Sequence, residues 1–315
     1  MVLNKNSKIF VAGHTGMVGS SILRHFKRNK YKNIFTQNRD QLDLCKQFYA
    51  EAYLKEIKPH YVVIAAAKVG GILANHKKKA EFIYENLMIQ SNLIHASYKV
   101  GVKKLIFLGS SCVYPKYAKQ PIKEKDLLSG KLEETNDAYA IAKIAGIKMC
   151  EAYNNQYGVN YICLMPTNLY GPNDNYNLQT SHFYPALISK IFDAKKNKKK
   201  EINLWGNGSA KRELMYVDDL AIACEFFLKK KTKHTLINIG SGQEKSIEGF
   251  TKFLMEKFKV NLKIRYDKKK PNGTPRKRLD ITLAKSYGWL SRFSLDKGFD
   301  LTYKNFLNSN LQDKK

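Results

Sequence analysis

Short apolar runs, each closed by glycine or a polar turn, alternate along the first 170 residues with stretches whose apolar positions recur every three or four residues. That alternation predicts βαβ units and a parallel, doubly wound sheet, with ligand at the carboxyl ends of the strands. The first strand is Lys8-Ile9-Phe10-Val11-Ala12, followed by a glycine turn and an amphipathic helix through Ser20 to Phe26. Further strands are expected at about Asn33 to Thr36, Tyr61 to Ala65, Lys104 to Leu108 and Tyr161 to Met165. Helices carrying Asn86 and Tyr139-Ala140-Ile141-Ala142-Lys143 fall between them.

After Gly171 the pattern changes. Asn173 to Ser181 is polar and loop-like, and His182 precedes a helix through Tyr184 to Ile188. Residues 201–219 read strand, turn, strand, with Gly206-Asn207-Gly208 as the turn. Lys270 to Lys277 is a basic, turn-rich loop, and a polar tail follows Asn308. Asp218-Asp219 and Ile237 to Gly240 look like returns to the sheet. The expectation is an α/β chain: a Rossmann domain over residues 1–170 with returns near 214–242, and a smaller, discontinuous substrate domain over 171–213 and 243–315.

Charge alters this picture little. Fifty-five Lys and Arg against 27 Asp and Glu give +28, which raises the possibility of nucleic-acid binding. The basic residues are scattered, however, and no nucleic-acid signature accompanies them, so they read as solvated surface. The five cysteines, at 45, 112, 150, 163 and 224, lack paired metal spacing, so no metal site is expected. The start of the chain enters a strand without an apolar leader, and the richest apolar stretch, Tyr61 to Ala74, is broken by Lys68 and two glycines. A soluble, cytoplasmic protein is expected, with no nucleic-acid or membrane partner.

Three features carry chemistry. Gly13, Gly16 and Gly19, with Thr15, Met17 and Val18 between them, lie between a strand and a helix. Glycines there allow a tight turn and close backbone approach, and the helix N-terminus attracts a pyrophosphate. After the second strand, Arg39 is placed to meet a ribose 2′-phosphate, which favours NADP(H) although Asp40 follows it. Ala65, Ala66 and Ala67 let the backbone run close beside a cofactor, while Asn86 reads either as helix surface or as a nicotinamide-side group. Finally, Ser110 leaves the fourth strand, and Tyr139 and Lys143 share one helix face. A nearby ammonium lowers a phenol's pKa, so the trio suits hydride transfer at a carbonyl. Further on, Arg212, Arg276 and Lys277 are candidates for gripping a diphosphate, and Trp205 for facing a base or filling core.

These motifs resemble the extended short-chain dehydrogenase/reductases, and within them the GDP-L-fucose synthase family. The likeness rests on Ala12 to Gly19, Ala65 to Gly71, Leu108 to Cys112, Tyr139 to Gly146, Met165 to Pro172, Ser181-His182 and Gly273 to Lys277, nearly the whole chain. The resemblance implies an NADPH-dependent enzyme that epimerises C3 and C5 of a GDP-4-keto sugar and then reduces C4. It implies Tyr139 as proton donor to O4, Lys143 as its partner and ribose ligand, and Ser110 as a hydrogen bond to the ketone. Cys112 and His182 match the epimerisation base and acid. The likeness also implies Pro166, Asn168 and Leu169 beside the cofactor, Ser111, Asn168 and Lys190 on the substrate, and a homodimer through the Tyr139 helix. Two positions depart from the pattern: Thr15 replaces a frequent Arg, and Asn272 replaces an acid.

Other readings remain open at this point. A C4 reductase without epimerisation, acting on a GDP-4-keto heptose for example, keeps every reductase residue. A redox-neutral epimerase or dehydratase shares the fold, but dehydratases of this kind carry an acid pair where Ser111-Cys112 stands.

Overall fold

The computed structural model describes residues 2–270 and 273–312, with side chains to 308. Twelve strands lie among the described residues: β1 Lys8–Ala12, β2 Asn33–Phe35, β3 Tyr61–Ile64, β4 Lys104–Leu108, β5 Tyr161–Pro166, β6 Asn168–Tyr170, β7 Glu201–Trp205, β8 Lys211–Tyr216, β9 Leu236–Ile239, β10 Glu244–Ser246, β11 Lys263–Asp267 and β12 Arg276–Lys277. Six form one sheet, ordered β2-β1-β3-β4-β5-β9, and every pair in it is parallel. The order reverses between β1 and β3, which opens a crevice above their carboxyl ends.

Alternating residues of these strands supply two cores, which is why the runs are apolar on both faces. Phe10, Val62, Ile64, Leu105 and Phe107 face one way, beneath the helices Gln47–Ile57, Lys79–Lys99 and Asp137–Tyr157. Ile9, Val11, Val63, Ile106 and Leu108 face the other, beneath Met17–Arg28 and Val217–Lys229. A third core gathers Tyr170, Tyr184, Ile188, Leu204, Phe250 and Phe299. It lies among the helices Phe183–Lys196, Ile247–Phe258 and Leu295–Gln312.

Residues 201–219 hold the expected strand, turn and strand, with β7 pairing β11 and β8 pairing β6, β10 and β12. Two expectations, on Asp218-Asp219 and on the tail after Asn308, are corrected. Asp218 and Asp219 return to the large core as the first turn of a helix, where they suit its positive N-terminal end. The polar residues after Asn308 continue a helix to Gln312. Asn272 and the adjoining Pro271 lie outside the described residues.

The buried carboxylate of Glu213, on β8 beside the third core, ties that region to the segments flanking the large sheet. Glu213 Oε1 accepts from Gly242 N–H at 2.7 Å and Oε2 from Leu279 N–H at 2.9 Å. The Glu213 carbonyl accepts from Asn168 Nδ2 at 3.0 Å. Among the described residues no helix is long and apolar enough to cross a membrane.

Candidate active site

Gly13 adopts φ +84°, and a β-carbon there would stand 2.5 Å from Ala66 N. One on Gly19 would stand 2.0 Å from Gly13 O, so only glycines let the first turn close against β3 and its own helix. No side chain caps the Met17–Arg28 helix, which leaves its N-terminal amides for an anion. The cleft above this turn encloses about 580 Å³. Gly13, Thr15, Gly16, Met17, Val18, Gly19, Arg39, Ala65, Ala66 and Ala67 all border it. A dinucleotide's pyrophosphate fits this uncapped turn, and Arg39 borders the same cleft.

A second cavity of about 260 Å³ lies beside it, bordered by Ser110, Ser111, Cys112, Tyr139, Asn168, His182, Lys190, Trp205, Arg212 and Lys277. Gly70, Ser181 and His182 border both spaces, so they meet there. Gly71 lets the loop after β3 pack directly on the backbone of Thr180 and Ser181 beside both cavities. A β-carbon on it would stand 2.3 Å from Ser181 O, and its N–H donates to Thr180 O at 2.8 Å.

At the end of β4, Ser110 Oγ accepts from Cys112 N–H at 3.4 Å and from the Cys112 thiol at 3.2 Å. Lys143 is buried behind Tyr139, its ammonium donating to Leu108 O at 2.9 Å. It lies 5.8 Å from the centre of the Tyr139 ring. Contrary to expectation, the phenol of Tyr139 is raised: burial dominates, the nearby Cys112 adds to it, and the Ser110 hydroxyl only partly opposes it. Burial instead pulls Lys143 down to about 8. Burial also raises Cys112, against the lowering effect of Lys277, Ser110 and Lys143. His182 is lowered by desolvation within the cleft walls and by the Lys277 charge.

Three cations, Lys190, Arg212 and Lys277, border the second cavity, each with its pKa lowered by burial. Burial takes Arg212 down to about 10, while Glu133 opposes the shift. Lys190 donates to Asn203 O at 3.0 Å, and Trp205 is 38% exposed with Lys270 over its ring. This concentration of positive charge in a half-closed space suits a diphosphate.

Besides the buried Lys143, which borders neither cavity, four sequence candidates stand elsewhere. Asn86 Nδ2 donates to Lys68 O at 3.0 Å and Phe82 O at 2.7 Å, and its Oδ1 accepts from Lys68 N–H at 3.0 Å, so it braces the Ala65–Gly71 loop from behind. Pro166 ends β5 in register with Ile239, and Leu169 packs on the large core. Arg276 pairs with Glu244, because adjacent strand residues point to opposite faces and Lys277 takes the one toward the cavity. Conversely, Asn75, Glu133, Thr135 and Asn136 border the second cavity without having been singled out. They sit in loops or a short helix and carry no motif, so only the fold brings them in.

A glycine turn, an exposed cleft above a parallel sheet, and Ser110, Tyr139 and Lys143 at one strand end define a Rossmann-fold enzyme of the short-chain dehydrogenase/reductase type. The chain belongs to the NAD dependent epimerase/dehydratase family, whose model matches residues 9–240, and within it to the GDP-L-fucose synthase family. It is 49% identical over 306 residues to GDP-L-fucose synthase 1 of Arabidopsis thaliana, covering 97% of this chain and 95% of that one. Its structure is similar to that of a GDP-6-OMe-4-keto-L-xylo-heptose reductase from C. jejuni, with a TM-score of 0.92, 32% identity and coverage of 98% and 100%. It is also similar to GDP-mannoheptose C4 reductase from Campylobacter jejuni with NADP bound, with a TM-score of 0.88, 34% identity and coverage of 97% and 99%.

Proposed function

We propose that the protein reduces the C4 ketone of a GDP-4-keto sugar with NADPH, after epimerising C3 and C5 in the same site. The observation that carries this reading is the Cys112–Ser110 hydrogen bond, which sets the candidate epimerisation base against the candidate reduction centre in one cavity. The diphosphate is assigned to Arg212, Lys277 and Lys190, and the guanine side to Trp205. Protons beside the C4 ketone are acidified by it. Cys112 removes one as its thiolate, and His182 returns one from the other ring face, which inverts the carbon.

NADPH supplies the hydride to C4. Tyr139, kept protonated by burial, donates its proton to O4, and Ser110 holds that oxygen. Lys143 stabilises the phenolate left behind and holds the nicotinamide ribose. We assign the glycine turn, Thr15 and Arg39 to the rest of the dinucleotide.

Free thiols at all five cysteines suit a reducing, cytoplasmic setting. A homodimer through the Lys79–Lys99 and Asp137–Tyr157 helices is part of the same reading, since Tyr84 and Ile141 stand exposed there. Light scattering of the eluted protein tests that assembly, and a monomer at working concentration counts against it.

The deciding experiment offers GDP-4-keto sugars and NADPH in heavy water and weighs the product. Coenzyme oxidation with deuterium fixed at C3 and C5 supports the full reading. Oxidation without that label reduces the protein to a C4 reductase. No oxidation with hexose or heptose substrates leaves the redox-neutral class.

A further inference from the structure

The dinucleotide cleft ends, beyond β2, in a cluster of charged side chains. Lys68 Nζ lies 2.5 Å from both Glu81 Oε2 and Glu85 Oε1. Arg39 Nη2 lies 3.2 Å from Glu85 Oε2, off the line of a hydrogen bond, so the contact is chiefly ionic. The Glu85 side chain is 14% exposed, while that of Arg39 is 70% exposed. Arg39, Lys68 and Glu85 border the cleft, whereas Glu81 does not.

Within this corner the Glu85 carboxylate faces both cations that border the cleft, Arg39 and Lys68. The corner is also where an adenosine ribose comes to rest in a fold of this type, just past the second strand. A 2′-phosphate would draw on the charge of Arg39, which the Glu85 carboxylate already offsets at 3.2 Å. A 2′-hydroxyl makes no such demand. We infer that Glu85 sets the coenzyme preference of this protein, by placing its negative charge against Arg39 and Lys68 at the cleft and so restraining a preference for NADPH over NADH. The inference rests on the coenzyme reading given above.

Glu85→Gln keeps the side chain's shape and removes its charge. The test is a calorimetric titration of wild type, Glu85→Gln and Glu81→Gln with NADPH and with NADH, without sugar substrate. Glu85→Gln is expected to bind NADPH about three- to tenfold more tightly, the effect of one like charge removed from a partly screened corner. Its NADH affinity is expected to stay near that of wild type. Glu81→Gln, which loosens the same lysine but does not border the cleft, is expected to leave the ratio of affinities unchanged. An unchanged or reduced NADPH preference in Glu85→Gln overturns the inference, as does an equal shift in Glu81→Gln. Failure of wild type to bind either coenzyme overturns the coenzyme reading itself, and this inference with it.

Discussion

The thiol of Cys112 donates to Ser110 Oγ across 3.2 Å, at the mouth of β4. The two side chains therefore share one hydrogen-bonding system, in which the Ser110 hydroxyl also opposes the raised pKa of Tyr139. A thiol that gives up its proton must release Ser110 or accept from it. The geometry thus couples the protonation of the candidate epimerisation base to the oxygen expected to hold the ketone.

Separation of the two chemistries follows from this arrangement. Tyr139→Phe removes the proton donor but leaves Cys112 and His182 in place. Reduction is expected to fall by about 10²- to 10⁴-fold, the usual worth of a positioned acid. Exchange of the C3 and C5 protons with heavy water is expected to continue. Mass analysis of unreduced sugar, incubated with the variant and oxidised coenzyme, reads the exchange, and its loss would show that Tyr139 also serves epimerisation.

Cys112 is expected to behave as a poorly ionised thiol. Burial places its pKa above the ordinary 9.0, so thiolate grows with pH through a range in which exposed thiols are already ionised. The rate of its alkylation by iodoacetamide, followed by peptide mass, is expected to keep rising above pH 9. A plateau near neutral pH would show that Lys277 and Lys143 outweigh burial. Cys112→Ser is expected to abolish proton exchange and spare reduction.

Much of this site was legible from spacing alone. The strand Lys8–Ala12 and the strand Lys104–Leu108 fall where their apolar runs place them, and the glycine turn, Ser110 and Tyr139 meet at strand ends as the βαβ pattern requires. The sequence does not reveal what a side chain does once neighbours compete for it. Asn86 satisfies loop backbone instead of facing the cleft, and Arg276 finds Glu244 before any phosphate. Lys143 shares a helix face with Tyr139, yet its ammonium turns to a strand carbonyl, and burial rather than charge governs the phenol. Glu133 and Asn136 reach the cavity only through loops whose path no periodicity records.

The two arginines of the substrate region are expected to differ. Arg212 borders the cavity, whereas Arg276 is ion-paired with Glu244 outside it. Arg212→Ala is expected to raise the KM for the GDP-sugar by about tenfold or more, the scale of a lost charge-assisted contact. Arg276→Ala is expected to change it less than about threefold, because a partly exposed pair contributes little. Steady-state kinetics of both variants check the contrast, and equal effects would place the β12 side chains on the opposite faces from those described.

Lys143 makes a prediction about stability. Its ammonium is buried and its pKa is drawn down from 10.5 to about 8. Between those values the unfolded chain binds a proton that the folded chain does not, so wild-type stability rises with pH across that window. Below about 8 both states are charged, and the full cost of burying the ammonium is present. Lys143→Met removes that cost and also the hydrogen bond to Leu108 O. It is therefore expected to be more stable than wild type at pH 7, by on the order of 2 kcal/mol once the lost bond is set against the relieved burial. The advantage should shrink as pH approaches 10, while reduction of the sugar collapses at every pH. Urea midpoints for the two proteins at pH 7 and pH 10 measure this, and a variant less stable at pH 7 would show that the Leu108 hydrogen bond outweighs the cost of the buried charge.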